Sequence, residues 1–266
     1  MFALPAAGQA RRASFVQHAP TIGRGELLVG LGIGRAVGGK YPLAGFEGDL
    51  WSLGHVSIVY GLGEHASLSV RGDVWRVLSI ETASVPSLPL DPGTADGTTS
   101  DAGDFEIALA FAPLGDASGI AGGALIEIKL PNSDETRGIG PNTTDVTLAL
   151  LGSWGGGPWR ATGILGIGIL EAPLESFEQN DVVVYRFEGQ YQVTERLGLS
   201  AGLAGHASTR SHVAVGTEDT GQVRLAVDWN TGPLTLDIGL AAGLAGISPD
   251  WRWSGGVAWR PRRGRP

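Results

Sequence analysis

Apolar residues recur at every second position along most of this chain. Leu27, Val29, Leu31 and Ile33 alternate with Leu28, Gly30, Gly32 and Gly34. Val223, Leu225, Val227 and Trp229 alternate in the same way with Gln222, Arg224, Ala226 and Asp228. A period of two sustained over such stretches gives β-strands with two unlike faces. The stretches are about 9–11 residues long, the length a tilted strand needs to cross a bilayer. About twelve can be counted, which predicts an all-β fold: a closed antiparallel transmembrane β-barrel of the outer-membrane type.

The predicted strands are Glu26–Ala36, Leu50–Leu62, Ala66–Val77, Asp104–Ala112, Ile120–Leu130, Thr143–Trp154, Trp159–Leu170, Asp181–Val193, Leu197–His206, Gly221–Trp229, Leu234–Ala245 and Trp251–Arg260. Their connections alternate between long and short. A glycine-rich loop follows the first strand. The longest connection, Leu78–Gly103, is rich in Asp, Gly, Thr and Ser from Pro89 onwards and reads as a mobile loop. Outer-membrane barrels have short periplasmic turns and longer outer loops. An even strand number in this phase places both termini in the periplasm.

The domain reading follows. Residues 1–24 are expected to hold a signal-peptide remnant, ending in the small residues Gly8 and Ala10, and a short periplasmic segment. Residues 25–260 form the barrel, and residues 261–266 a basic periplasmic tail.

Composition separates this barrel from a dry one. Parity predicts that Leu31, Val70, Leu109, Ile126, Leu148, Ile167, Leu225 and Leu240 face lipid. The opposite parity carries Arg71, Asp73, Glu106, Glu127, Lys129, Arg160, Arg186, Glu188, Arg224, Asp228, Asp237 and Arg252. Burying so many charges in a dry core is very costly, whereas a hydrated lumen tolerates them. The remaining inward positions are mostly Gly, Ala, Ser and Thr, too small to fill a barrel of about twelve strands. The expected result is a passage lined by charges of mixed sign, without strong simple ion selectivity.

Aromatic residues sort to the strand ends, as at a membrane interface. Trp154, Trp159, Trp229 and Trp259, with Tyr60 and Tyr191, fall where strands meet short turns, and Trp251 falls at the opposite rim. Trp51 and Trp75 have the other parity and are expected to point inward near the outer mouth, Trp75 as a pore-lining residue.

Two stretches resemble a known family. Ile128-Lys129-Leu130-Pro131, followed by a polar loop and Thr144-Asp145-Val146, is similar to a hairpin of the outer-membrane channels of the MetA-pathway of phenol degradation family. The stretch from Leu234 to Leu240, then Pro249-Asp250-Trp251 and Gly255 to Arg260, resembles that family's final hairpin. The resemblance implies a transporter of hydrophobic or aromatic compounds.

The leading functional reading is thus a channel or uptake barrel for small molecules, with outer-membrane lipid and lipopolysaccharide around it. A structural or adhesin-like barrel without transport is the alternative, and a lipid-modifying hydrolase a weaker one. A hydrolase needs Ser, His and an acidic or amide partner together. The histidines are His18, His55, His65, His206 and His212, and His206 with Ser208 is the nearest approach to such a pair. The sequence shows no phosphate-binding loop, dinucleotide fingerprint or metal-ligand spacing, so neither cofactor nor metal is expected. It has no Cys, and its net charge of −8 opposes nucleic-acid binding. Oligomeric state is left open.

Overall fold

The structure is a computed structural model that describes residues 22–115, 119–174 and 178–261. The signal-remnant expectation and most of the basic tail lie outside the described residues. The strands are β1 (Leu27–Tyr41), β2 (Phe46–Gly61), β3 (Ala66–Ala83), β4 (Thr98–Asp101), β5 (Phe105–Gly115), β6 (Ile120–Lys129), β7 (Asp145–Gly156), β8 (Trp159–Glu171), β9 (Gln179–Gln192), β10 (Leu197–Ser208), β11 (Thr220–Asn230), β12 (Leu234–Gly246) and β13 (Trp251–Trp259).

Each strand pairs antiparallel with its neighbour, and β1 pairs with both β2 and β13, which closes the sheet. Among the described strands, closure leaves only the four-residue β4, at the long-loop rim, with a strand on one side alone. The other strands are paired on both sides, a condition for standing in hydrocarbon. The four-residue β4 pairs with the far end of β3, where Arg76 meets Asp101, while β5 pairs with the near end. Together β4 and β5 make one course of the wall, so the barrel has twelve strands around it.

Two connections differ from expectation. The glycine-rich stretch after residue 36 is not a loop. β1 and β2 run on through it, with Gly39 opposite Gly48 and Tyr41 opposite Phe46, and only Pro42–Gly45 turn. Glycines carry no side chain to alternate, so the period-two signal is silent there although the backbone ladder continues. The segment 78–103 is likewise tied down. β3 continues to Ala83, Ile80 N–H donates to the Gly97 carbonyl, Ser87 N–H to that of Leu43 and Asp91 N–H to that of Thr136.

The β6–β7 loop is stitched to the same region. Asp134 N–H donates to Asp101, Ser133 N–H to Asp104 and the Thr99 hydroxyl to the Arg137 carbonyl. Asp134 caps the 3₁₀ turn Glu135–Arg137, and the Thr136 hydroxyl and N–H hold its carboxyl below the usual carboxylate range. The loop thereby lays Ile139 against inward-facing Ala36, Phe46, Leu50 and Leu78, with Leu90 beside them. This apolar cluster fills the β1–β3 side of the mouth at the long-loop rim.

The outer face is the apolar one. Leu68, Leu109, Ile126, Leu148, Ile167 and Val183 are successive cross-strand neighbours on β3 and β5–β9, forming one belt. Leu31, Leu225 and Leu240 lie on the same face, Leu225 63% exposed, and Val70 is half-buried there.

Trp75 corrects the inward expectation. It is exposed and pairs with Leu53, itself the partner of outward Ile33. A β-bulge is the cause. Gly54 has φ +67, and the ladder jumps from Gly32–His55 to Ile33–Leu53. The extra residue, matched by Val74 on β3, inverts the parity beyond it. Trp51 turns outward for the same reason. All eight tryptophans of the chain therefore stand on the outer face. Trp154, Trp159, Trp229 and Trp259, with Tyr191, ring the short-turn rim, where the Trp159 and Tyr191 rings pack at a tilt of 49° with centroids 4.5 Å apart. Trp51, Trp75, Trp251 and Trp253 ring the other. There Arg35 lies 5.4 Å above Trp51 and pairs with Asp49 at 2.6 Å.

Candidate functional site

With apolar residues outside, every wall strand turns its polar alternate positions to the lumen. Small inward residues leave space there, and long charged ones reach each other across strands that carry none.

Glu127 on β6 is the hub. Arg186, three strands away on β9, donates to it twice, Nη2 to Oε1 at 2.6 Å and Nη1 to Oε2 at 3.0 Å. Arg71 on β3 donates to Glu127 Oε2 at 3.1 Å and also pairs with Glu106 on β5. The Arg186 chain passes over β7 and β8, where inward Ala149 and Gly166 leave room. Planar guanidinium forks match a carboxylate well, so this knot is both strong and directional. Lys129 Nζ pairs with Asp145 at 2.6 Å and donates to Thr143 at 3.0 Å. Lys129 and Asp145 thus join the two halves of the hairpin motif quoted above. His55 Nδ1 lies 2.8 Å from Asp73, and Arg224 lies 3.9 Å from Asp237.

Two adjoining cavities occupy the lumen. One, of about 450 Å³, opens among the loops and is lined by Lys129, Asp145, Glu171, His206 and Ile247–Pro249, among others. The second, of about 290 Å³, lies deeper, against His55, Arg71, Asp73, Arg224 and Ser254. Glu106, Arg186, Ala204, Gln222 and Arg252 line both. They form the waist between them.

Of the residues expected to line a passage, Arg71, Asp73, Glu106, Glu127, Lys129, Arg186, Arg224 and Arg252 border these cavities. Glu188 borders a small recess beside Arg224. Arg160, Asp228 and Asp237 line neither cavity. They lie towards the short-turn end, where Gln190, Asp228, Asn230, Thr235 and Asp237 are all buried. Inward Ala108, Ala110, Leu125, Leu151 and Ile164 on β5–β8 are buried as well. Small side chains thus did not leave the whole interior open.

His55, Asp145 and Gln222 are lumen residues that the sequence reading did not select. Their signal was the parity they share with Ser57, Thr147 and Arg224. His206 and Ser208 do not form a catalytic pair. The His206 ring contacts the Glu218 carbonyl at 2.9 Å and Thr220 at 3.0 Å, and the Ser208 hydroxyl donates to Asn180. Among the described residues no cluster of His, Asp and Glu could hold a metal ion.

A closed barrel with an apolar belt, two aromatic rims and a charged interior defines the class: a transmembrane β-barrel of the outer-membrane type. Solved structures agree on that fold. An outer membrane channel from Pseudomonas putida F1 superposes with a TM-score of 0.64 at 16% identity, covering 91% of this chain and 97% of that one. The NanC porin gives 0.55 at 9% identity, covering 87% and 98%. The translocator domain of the autotransporter NalP from Neisseria meningitidis gives 0.54 at 12%, covering 92% and 91%. No family profile and no curated protein matches the sequence.

Proposed function

We propose that the protein is an outer-membrane channel or uptake barrel for small molecules. The observation that carries this is the pair of adjoining cavities inside a closed, lipid-faced barrel. They lead inward from the long-loop rim and are walled by charges neutralised in pairs. A hydrated lumen with balanced charge admits polar and mildly apolar solutes alike. The likeness to a bacterial outer membrane channel and a porin supports the reading. Membership in the phenol-degradation channel family, with hydrophobic or aromatic solutes, belongs to the same proposal and rests on the two hairpin motifs. The long loops face outward and the short turns and both termini the periplasm.

Swelling of proteoliposomes with a graded panel of sugars and aromatic alcohols tests it. Faster solute uptake than in protein-free vesicles is expected. Equal rates for folded protein and empty vesicles would refute it. The second reading is a structural barrel without transport. It is favoured by the buried polar residues at the short-turn end and by Ile139 and Leu90 packed into one side of the mouth.

A further inference from the structure

The lumen charges cancel largely in pairs, so a solute inside meets chiefly the group left without a counter-ion. Among the described Arg and Lys side chains that line the two cavities that group is Arg252; the carboxylates Asp104 and Glu171 have no ion pair either, but backbone N–H groups donate to them. Arg252 lies on β13 with inward parity, opposite Ala36 and Ala241, and is exposed. It lines both cavities at their waist. No carboxylate of the described residues lies within ion-pair distance of it, in contrast to Arg71, Lys129 and Arg186.

The register sharpens its setting. Ala241 on β12 pairs with Arg224 on one side and Arg252 on the other, so two arginines flank one alanine at a single level. Like charges held so close repel, and an anion between them relieves the repulsion. Gln222, also at the waist, adds amide donors from β11. Tyr41 stands within electrostatic reach of Arg252 and packs on the apolar mouth cluster. Val184, Ala204, Ile247 and Pro249 give the larger cavity apolar wall beside these donors.

We propose that Arg252, assisted by Gln222, is a binding site for the carboxylate of a small organic acid whose apolar body rests in the outer cavity. A guanidinium fork recognises a carboxylate by two parallel hydrogen bonds, which a neutral isostere cannot match. This deepens the channel reading and names its solute class.

The test uses the folded full chain with benzoate as probe and benzyl alcohol as its neutral counterpart. Binding is measured by calorimetry on detergent-solubilised protein, and block of ion current in planar bilayers. Wild type is expected to bind benzoate in preference to benzyl alcohol. Arg252→Gln should weaken benzoate about tenfold or more, the scale of one charge-assisted pair. Arg252→Lys should lie between. If Arg252→Gln does not fold, Arg252→Lys decides: weaker binding supports the site and unchanged affinity overturns it. Absence of benzoate binding to wild type, or wild-type affinity in Arg252→Gln, also overturns it. Current without benzoate binding would remove this site and leave the channel. Arg252-dependent binding without any current would keep the site and remove the channel.

Discussion

At the scale of single residues, the account rests on which charges have partners. Glu127 has a 6% exposed side chain held by two guanidiniums. Replacing it by Ala leaves buried Arg186 without a carboxylate partner and Arg71 with Glu106 alone. Loss of such a partner costs about 3 kcal/mol or more. Urea unfolding of the Glu127→Ala barrel in lipid vesicles is expected to show it. On the outer face the sign reverses, because there a charge meets hydrocarbon. Leu225→Arg should destabilise by about 2–4 kcal/mol near the bilayer midplane, and Leu234→Arg, at the rim, by about 0–1. The same unfolding measurement compares them, and equal effects would place the belt at the wrong height.

At the scale of elements, alternation was legible wherever side chains differ in kind. The row from Leu109 to Ile167 could be read from sequence because apolar and small residues take turns along each strand. The bulge at Gly54 could not. One glycine among alternating neighbours looks like any inward small residue, and only the ladder shows that it is supernumerary. Trp51 and Trp75 were misplaced for that reason alone. The charged face was legible as a face, but its partners were not: Arg186 and Glu127 are 59 residues apart in sequence.

Two predictions belong at this scale. Gly54→Val forces a β-branched side chain into the left-handed region and against Val74, and should cost about 1–2 kcal/mol. Gly63→Val, with open space around its position, should be nearly neutral in the same unfolding assay. The absence of Cys makes single-cysteine spin labelling clean. Labels at Trp75→Cys and at Leu109→Cys should both be relaxed by lipid-soluble oxygen. Behaviour like Arg71→Cys, relaxed by a water-soluble nickel complex, would put residue 75 back in the lumen.

At the scale of the whole molecule, two demands are met by one alternating pattern. The outer face suits hydrocarbon and headgroups, and the inner face suits water and charge. The lumen is lopsided: the β1–β3 side of the mouth is packed by Ile139 and Leu90, while the side from β6 to β12 leads to the two cavities. Paired charges act at short range, so they shape the passage without giving it a strong net field, and salt screens what remains. The central claim is that this interior conducts, and single-channel recording in planar bilayers tests it most directly. Discrete current steps with weak ion selectivity, weakest at high salt, are the predicted result. A silent bilayer after insertion of protein shown to be folded by its heat-dependent gel mobility would contradict the claim and make this a structural barrel.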